Sequence, residues 1–355
     1  VSIAIRTYEG DSHSLSQFVV NTWLETYRDQ MSVPDWTAEY FDWQMTGPDY
    51  PDRELLLTAW KGDQLVGSML AMPFDLWVNG KQLEGAHGSW LAVAPEVRRD
   101  GVGLMLSNEM NRRQHERNYY GRLGYAFQGS KQSLGPRFWK SGRTNTKFVR
   151  RMYLWTRVLN SKAVSGWTNK KSEKFAMSLL PQFVYSVGKP DRDVLIRTYE
   201  PQDLSTCLNL INTQAKKADL AVLWSEDRLN KQLSYPGLAE TLVVEQEGKV
   251  VGFLNFHLLG LLLHGRITSA IIDLFACENL TARQASSLLT VSLKRMKTLN
   301  ADLVLMREFA AQPKMSLLKS RFIPQFSDSY LMINGIREQD DLLLSKSRKI
   351  QILWR

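Results

Sequence analysis

Arg98-Arg99-Asp100-Gly101-Val102-Gly103 sets two guanidinium groups beside two glycines at the entrance to an apolar-periodic stretch. Those residue types at that spacing bind anions. Gly101 and Gly103 have no Cβ, so a phosphate can come close to the backbone. Val102, Met105, Leu106 and Met110 fall on one face of a helix. The first N–H groups of that helix lack internal acceptors, and its dipole adds positive potential at the same spot. Upstream, Leu91-Ala-Val-Ala-Pro95 reads as a strand that stops at a proline. Strand, basic glycine turn and helix in that order build a phosphate cradle from backbone.

The hexapeptide resembles the Gln/Arg-x-x-Gly-x-Gly/Ala signature of the GNAT-type N-acetyltransferase superfamily, and Val93-Ala94-Pro95 resembles the Val-x-Pro that precedes it there. The resemblance implies an acyl-CoA site, with acetyl-CoA or another acyl-CoA as co-substrate and no metal. Carried over position by position, Leu91, Ala92 and Val93 offer backbone groups to the amide-rich pantetheine arm. Arg98, Arg99, Asp100, Gly101, Val102, Gly103 and Leu104 cradle the diphosphate. The reaction implied is direct attack of a primary amine on the thioester, helped by proximity and by strand N–H groups that polarise the carbonyl.

That chemistry needs a group to take the ammonium proton and one to protonate the leaving thiolate. His87 lies six residues before Val93, near where histone-type relatives hold a glutamate base, and an ordinary imidazole pKa of about 6.5 suits the task. A histidine packed beneath the sheet is the competing reading. Glu84 is the next candidate; His115 is expected to face solvent. The family's usual acid is a tyrosine in Phe-Tyr-x-x-x-Gly, and this chain has Phe138-Trp139-Lys140-Ser141-Gly142. An indole donates a hydrogen bond but gives up no proton at working pH, so Tyr125 is the candidate acid, with Ser133 or water as substitutes. Cys207 and Cys277 lie outside this segment, which argues against a cysteine acyl-enzyme.

The elements that hold these residues occur twice. Ile5-Arg-Thr-Tyr-Glu9 returns as Ile196-Arg-Thr-Tyr-Glu200, and the strand–turn–strand ending at Gly67 returns ending at Gly252. The fold class read from this is α/β with a mixed (α+β) sheet, as two tandem GNAT-like domains. In the first copy strands are expected at Ile3–Thr7, Glu54–Trp60, Gln64–Val78, Gln82–Val93, Leu123–Gln128 and Thr146–Thr156. Helices are expected near Leu15–Arg28, Trp36–Trp43, Val102–Asn118 and Lys131–Lys140. The second copy repeats the plan at 194–340, with strands near Leu195–Tyr199, Leu242–Glu247, Val250–Leu261, Ile267–Phe275 and Leu303–Arg307. Its helices are read at Leu204–Lys216 and Ala282–Thr298. The catalytic domain is read as 1–156, a basic connector as 157–193 and a basic tail as 341–355. The layout resembles tandem members of the superfamily, among them the enhanced-intracellular-survival type, mycothiol synthase and the protein N-myristoyltransferases.

The second copy has no Gly-x-Gly: Cys277-Glu-Asn-Leu-Thr-Ala-Arg-Gln-Ala-Ser286 stands in its place, and Glu278 opposes a diphosphate. It reads as degenerate, a copy that scaffolds, shapes the acceptor pocket or closes the sheet of the first. Trp23, Trp36, Tyr40, Phe41 and Trp43 lie where the family walls its acceptor side; they line a sugar or acyl channel or form core. Asp35, Glu39, Asp42, Asp49 and Asp52 make that region acidic, which favours a cationic amine.

The chain has 355 residues, 44% of them hydrophobic, enough for more than one core. Its net charge is +9, but the basic residues are dispersed and no recognition-helix or zinc-finger pattern accompanies them, which argues against nucleic acid. No apolar run is long enough for a membrane span of roughly 18 residues, and no signal peptide is read at Val1–Arg6. Two cysteines make no metal pattern or disulfide framework, so a cytoplasmic location is expected. The function expected is an acyl-CoA-dependent N-acyltransferase, an N-acetyltransferase with acetyl-CoA as its donor, acting on the primary amine of a small molecule. The alternatives are a long-chain or acyl-carrier-protein-dependent acyltransferase and a non-catalytic CoA-binding tandem protein.

Overall fold

The computed structural model describes residues 2–48, 50, 52–88, 90–127, 134–335 and 347–353. The chain divides into two compact units. One comprises residues 1–152, 327–348 and 355; the other comprises 153–326 and 349–354.

In the first unit Ile3–Thr7, Leu56–Lys61, Gln64–Leu70 and Ala92–Val93 form a four-stranded antiparallel sheet. The helix Val102–Glu116 covers it. Val102, Leu106 and Met110, spaced four apart, are fully buried and pack with Leu57, Ala59 and Val66. Burial on that scale stabilises by about 1.5–3 kcal/mol per side chain. Gly67 marks where helix and sheet come closest: a Cβ there would meet Val102 and Leu106 side-chain carbons at 3.0 and 3.1 Å. The helix Ser12–Tyr27, capped by Asp11 through the Ser14 N–H at 2.8 Å, precedes the sheet's second strand.

A second set of strands carries the other wall of the site. Met72–Val78 pairs antiparallel with Lys81–His87, and Lys81–His87 begins a parallel pairing with Arg122–Phe127. Arg122–Phe127 pairs on its other side with residues 329–334 of the strand Ile323–Asn334. Apolar patterning predicts one strand over 64–78 and another over 82–93. Both are broken, because the chain changes sheets: at Ala71 between the strands, and at Gly88–Leu91 before Ala92–Val93. Gly88 has φ +152° and Trp90 φ +36°. A Cβ on Gly88 would lie 2.5 Å from the Leu70 carbonyl oxygen, so only glycine fits the crossing.

In the second unit the strand order is Leu195–Thr198, Ala239–Gln246, Lys249–Leu263, Gly265–Ala276 and Leu303–Arg307. Residues 154–158 of the strand Thr146–Val158 close it, antiparallel to Leu303–Arg307. The helix Ala282–Thr298 buries Leu288, Leu289, Leu293 and Met296 in the core. Each unit is thus closed by a strand from the other sequence copy: 329–334 joins the first, 154–158 the second. The stretch expected as a polar connector holds two helices, Ser161–Trp167 and Lys171–Leu179.

Candidate acyl-CoA site

The site of the first unit follows from the sheet change. Lys81–His87 runs beside Arg122–Phe127, then the chain leaves it and joins Gln64–Leu70 through Ala92–Val93. The two strands therefore part beyond His87. The gap between Leu91–Val93 and Tyr125–Phe127 is a cavity of about 460 Å³, within the roughly 300–1,000 Å³ of small-molecule sites.

One end of the cavity is the cradle. Arg98, Arg99, Gly101, Gly103 and Leu104 line it. Gly101 sits at φ +77° with open space where a Cβ would be, and caps the helix Val102–Glu116, which has no side-chain cap. First-turn N–H groups therefore remain for an anion. Gly103 has a further role: a Cβ there would stand 3.2 Å from Phe138 Cε2, so the glycine lets the Phe138 ring lie against the helix entrance. Asp100 is exposed and Val102 is fully buried in the core; neither side chain lines the cavity.

The other wall is apolar and comes mostly from residues whose role the sequence did not display. Trp23, Tyr27, Met31, Leu134, Phe138 and Trp139 line it. Trp23 and Tyr27 stand one turn apart on the helix Ser12–Tyr27, with rings 5.6 Å apart edge to face. That i, i+4 pair was the available signal. Of the aromatics expected at the acceptor side, Trp36, Tyr40, Phe41 and Trp43 are core, between 0 and 7% exposed, around Trp90. Of the acidic residues there, Asp42 accepts from Ser12 and Thr46 and Asp52 pairs with Arg117; Asp49 lies outside the described residues.

Backbone polarity in the gap can be read from the ladder. Gly67 pairs with Val93 and Ser68 with Ala92, and the Ala94 N–H donates to the Val66 carbonyl at 2.9 Å. Alternation along an antiparallel pair then turns the N–H and C=O of Leu91 and Val93 into the cavity. Both carbonyls are held by side chains. Trp23 Nε1 donates to Leu91 O at 3.1 Å, and Arg98 Nε donates to Val93 O at 3.0 Å while its other arm donates to Thr26. The Val93 N–H is left pointing at the cavity.

The second unit has the same edge with a different solution. Gln214 stands as far beyond Trp23 as Ile196 stands beyond Ile5. Its amide donates to Phe275 O at 3.0 Å and accepts from the Cys277 N–H at 3.0 Å. A carboxamide answers both backbone groups, where an indole, with a donor only, answers one. Where the strands Gly265–Ala276 and Leu303–Arg307 part beyond their pairing, the space is about 20 Å³, room for a water. The helix Ala282–Thr298 closes its own N-terminus with a Thr281–Gln284 capping box, and Glu278 pairs with Lys217 at 2.6 Å.

The candidate catalytic groups divide. Tyr125 is 3% exposed and lines the cavity. His87 is fully buried behind it, with ring centroids 6.3 Å from Tyr125 and 6.4 Å from Phe74, and does not line the cavity. Glu84 is exposed on the strand opposite Asp75, away from the lining. Ser133 lies outside the described residues. His115 is exposed, as expected. Trp139, where the family has its tyrosine, is a wall residue with the Arg122 guanidinium 5.9 Å from its ring. Burial pushes Arg122 down to about 10, so it stays charged at neutral pH. Among the described residues the lining holds no carboxylate and no imidazole; its titratable groups are tyrosines and arginines.

Residues 14–131 match the family described as the acetyltransferase (GNAT) domain. A glycylpeptide N-tetradecanoyltransferase of Candida glabrata is 22% identical over 235 residues, 63% of this chain and 49% of that protein. The match thus spans about half the length of that relative. The N-myristoyltransferase of Saccharomyces cerevisiae, solved with bound myristoyl-CoA, superimposes with a TM-score of 0.73 at 16% identity, over 95% of this chain and 83% of that one. A GCN5-related N-acetyltransferase from Anabaena variabilis gives 0.57 at 11% identity, over 94% and 72%. These likenesses show the fold, a two-domain GNAT arrangement.

Proposed function

We propose that this chain, which carries a GNAT acetyltransferase domain across residues 14–131, is an acyl-CoA-dependent N-acyltransferase whose donor is a long-chain acyl-CoA. One observation carries the reading: a single cavity joins the Gly101–Gly103 cradle to an apolar wall of Trp23, Tyr27, Met31, Leu134 and Phe138. An acetyl group asks for no such wall. Each methylene buried there contributes about 0.8 kcal/mol. The relative's name, glycylpeptide N-tetradecanoyltransferase, supports the same donor and favours a peptide amine over a small-molecule amine as acceptor.

In this reading the diphosphate sits at the helix entrance beside Arg98 and Arg99, and a pantetheine amide accepts from the Val93 N–H. The neutral amine attacks the thioester carbonyl, the C–N bond forms, the C–S bond breaks, and Tyr125, a lining residue of the strand Arg122–Phe127 that borders the gap, protonates the leaving thiolate. The amine's proton goes to water, since among the described residues the lining offers no carboxylate or imidazole. His87 acts on the site only through Tyr125. Proximity and the fixed N–H groups supply the rate.

Calorimetric titration of the full chain with myristoyl-CoA, acetyl-CoA and CoA tests the donor, and mass detection of an acylated glycyl peptide tests the transfer. Myristoyl-CoA should bind at least about tenfold tighter than acetyl-CoA. Equal or tighter acetyl-CoA binding would return the donor to acetyl; absence of any CoA binding would remove the enzyme reading.

A further inference from the structure

The second unit carries a surface that the acyl-CoA site does not explain. The helix Lys171–Leu179 buries none of its residues. Phe175 and Leu179, one turn apart on it, are each 66% exposed, and Leu180 follows at 41%. Lys170, Lys171 and Lys174 stand on and beside the same helix, with Glu173 the one acid, paired with Lys170 at 3.0 Å. A second segment of the unit has the same composition. In and after the helix Lys314–Lys319, Met315, Leu318 and Ile323 are exposed, interspersed with Lys314, Lys319 and Arg321. Together these two segments supply six of the ten large apolar side chains that stand exposed among the described residues.

A short turn ties the two segments to each other. Tyr185 Oη donates to the Met177 carbonyl at 3.2 Å, and Arg321 Nη1 donates to the Val184 carbonyl at 3.0 Å. The lysine-rich helix and the Met315–Ile323 segment are therefore braced on a common support within one unit. Apolar side chains concentrated on a surface need an explanation. Here they alternate with cations rather than with mixed charge.

We propose that this face docks onto an anionic lipid surface, with Phe175, Leu179 and Leu180 entering the acyl boundary and the lysines meeting headgroups. The charge pattern selects the occupant. A lipid headgroup layer offers a plane of negative charge over an apolar layer, and Lys side chains near it are drawn to that charge. Helices that carry Lys beside Phe and Leu lie in that boundary, and here Lys171, Phe175 and Leu179 follow one another a turn apart with Lys174 alongside. The attachment lies on the membrane and does not span it: no helix of the described residues is long and apolar enough to cross. The inference stands apart from the identity of the acyl donor.

The test is co-sedimentation of the full chain with large vesicles of equimolar phosphatidylserine and phosphatidylcholine, against vesicles of phosphatidylcholine alone. Binding to the anionic vesicles, lost at high salt, is expected. The double variant Phe175→Asp/Leu179→Asp should weaken it at least about tenfold, and Lys171→Glu/Lys174→Glu should do likewise while both keep the wild-type melting temperature. Failure of the wild type to bind the anionic vesicles overturns the proposal, as does a double variant that binds them unchanged. A wild-type dimer in sedimentation that the double variant dissolves would assign the face to a second copy and overturn it too.

Discussion

Trp23→Gln makes the first unit copy the second. The glutamine amide can still donate to Leu91 O, replacing the 3.1 Å indole bond, so the edge strand keeps its support. Its carbonyl, held as Gln214 holds its own against Cys277 at 3.0 Å, then accepts from the Val93 N–H. The pantetheine amide loses that donor. One net hydrogen bond is about 0.5–1.5 kcal/mol, roughly a two- to thirteenfold loss of affinity. Removal of the indole wall adds about 1–3 kcal/mol if a third to a half of a tryptophan's roughly 150–250 Å² faces ligand. The expected loss is therefore roughly twenty- to two-thousandfold in acyl-CoA affinity by calorimetry. Trp23→Phe separates the two parts: it keeps an aromatic wall and supplies no acceptor, so it should lose less than Trp23→Gln. Hydrogen exchange gives a readout without ligand, since the Val93 amide should become more protected in Trp23→Gln. An unchanged affinity together with unchanged exchange at Val93 would refute the reasoning.

Gly103→Glu should abolish measurable acyl-CoA binding while the protein still melts cooperatively, because the side chain would meet Phe138 and bring a negative charge to the phosphate end; retained binding would remove the cradle. His87→Ala should lower the melting temperature but leave the acidic limb of the pH–rate profile in place, since the imidazole is walled off behind Tyr125; loss of that limb would make it the base after all. Burial pushes the thiols of Cys207 and Cys277 up to about 12, so neither should react with a disulfide reagent at pH 8 until the protein is unfolded, and prompt labelling of the native chain would contradict their placement. Residues 1–156 expressed alone should fail to fold cooperatively, because strand Arg122–Phe127 loses its partner 329–334; a soluble fragment with wild-type acyl-CoA affinity would refute this.

The parts legible in the sequence are those set by local chemistry. Ile3–Thr7, Ala282–Thr298 and Leu303–Arg307 lie where periodicity placed them, and the Gly101–Gly103 turn announced itself through residue type. The parts not legible depend on distant partners. Gln64–Leu70 and Met72–Val78 read as one apolar run because both strands are largely buried, and the sheet change between them leaves no mark in composition. The strand Ile323–Asn334 takes its partner from about 200 positions earlier in the chain. Trp23 looked like one aromatic among several in that region; only the fold shows that Trp36, Tyr40, Phe41 and Trp43 pack inward while Trp23 meets the edge strand. For the catalytic groups, spacing along a strand placed His87 and Tyr125 near the site, but burial separates their access to it.

The exchange of closing strands sets a schedule for biosynthesis. When Arg122–Phe127 leaves the ribosome, its partner at 329–334 is some 200 residues from being made. At about 5–20 residues per second, that is a wait of roughly 10–40 s. Through that interval the strand that forms one wall of the cavity presents an unpaired edge, the feature that invites pairing with a stranger chain. The first unit to be translated is thus among the last parts to be finished. Slow translation or crowded polysomes should cost this protein more soluble yield than a tandem protein whose halves close independently.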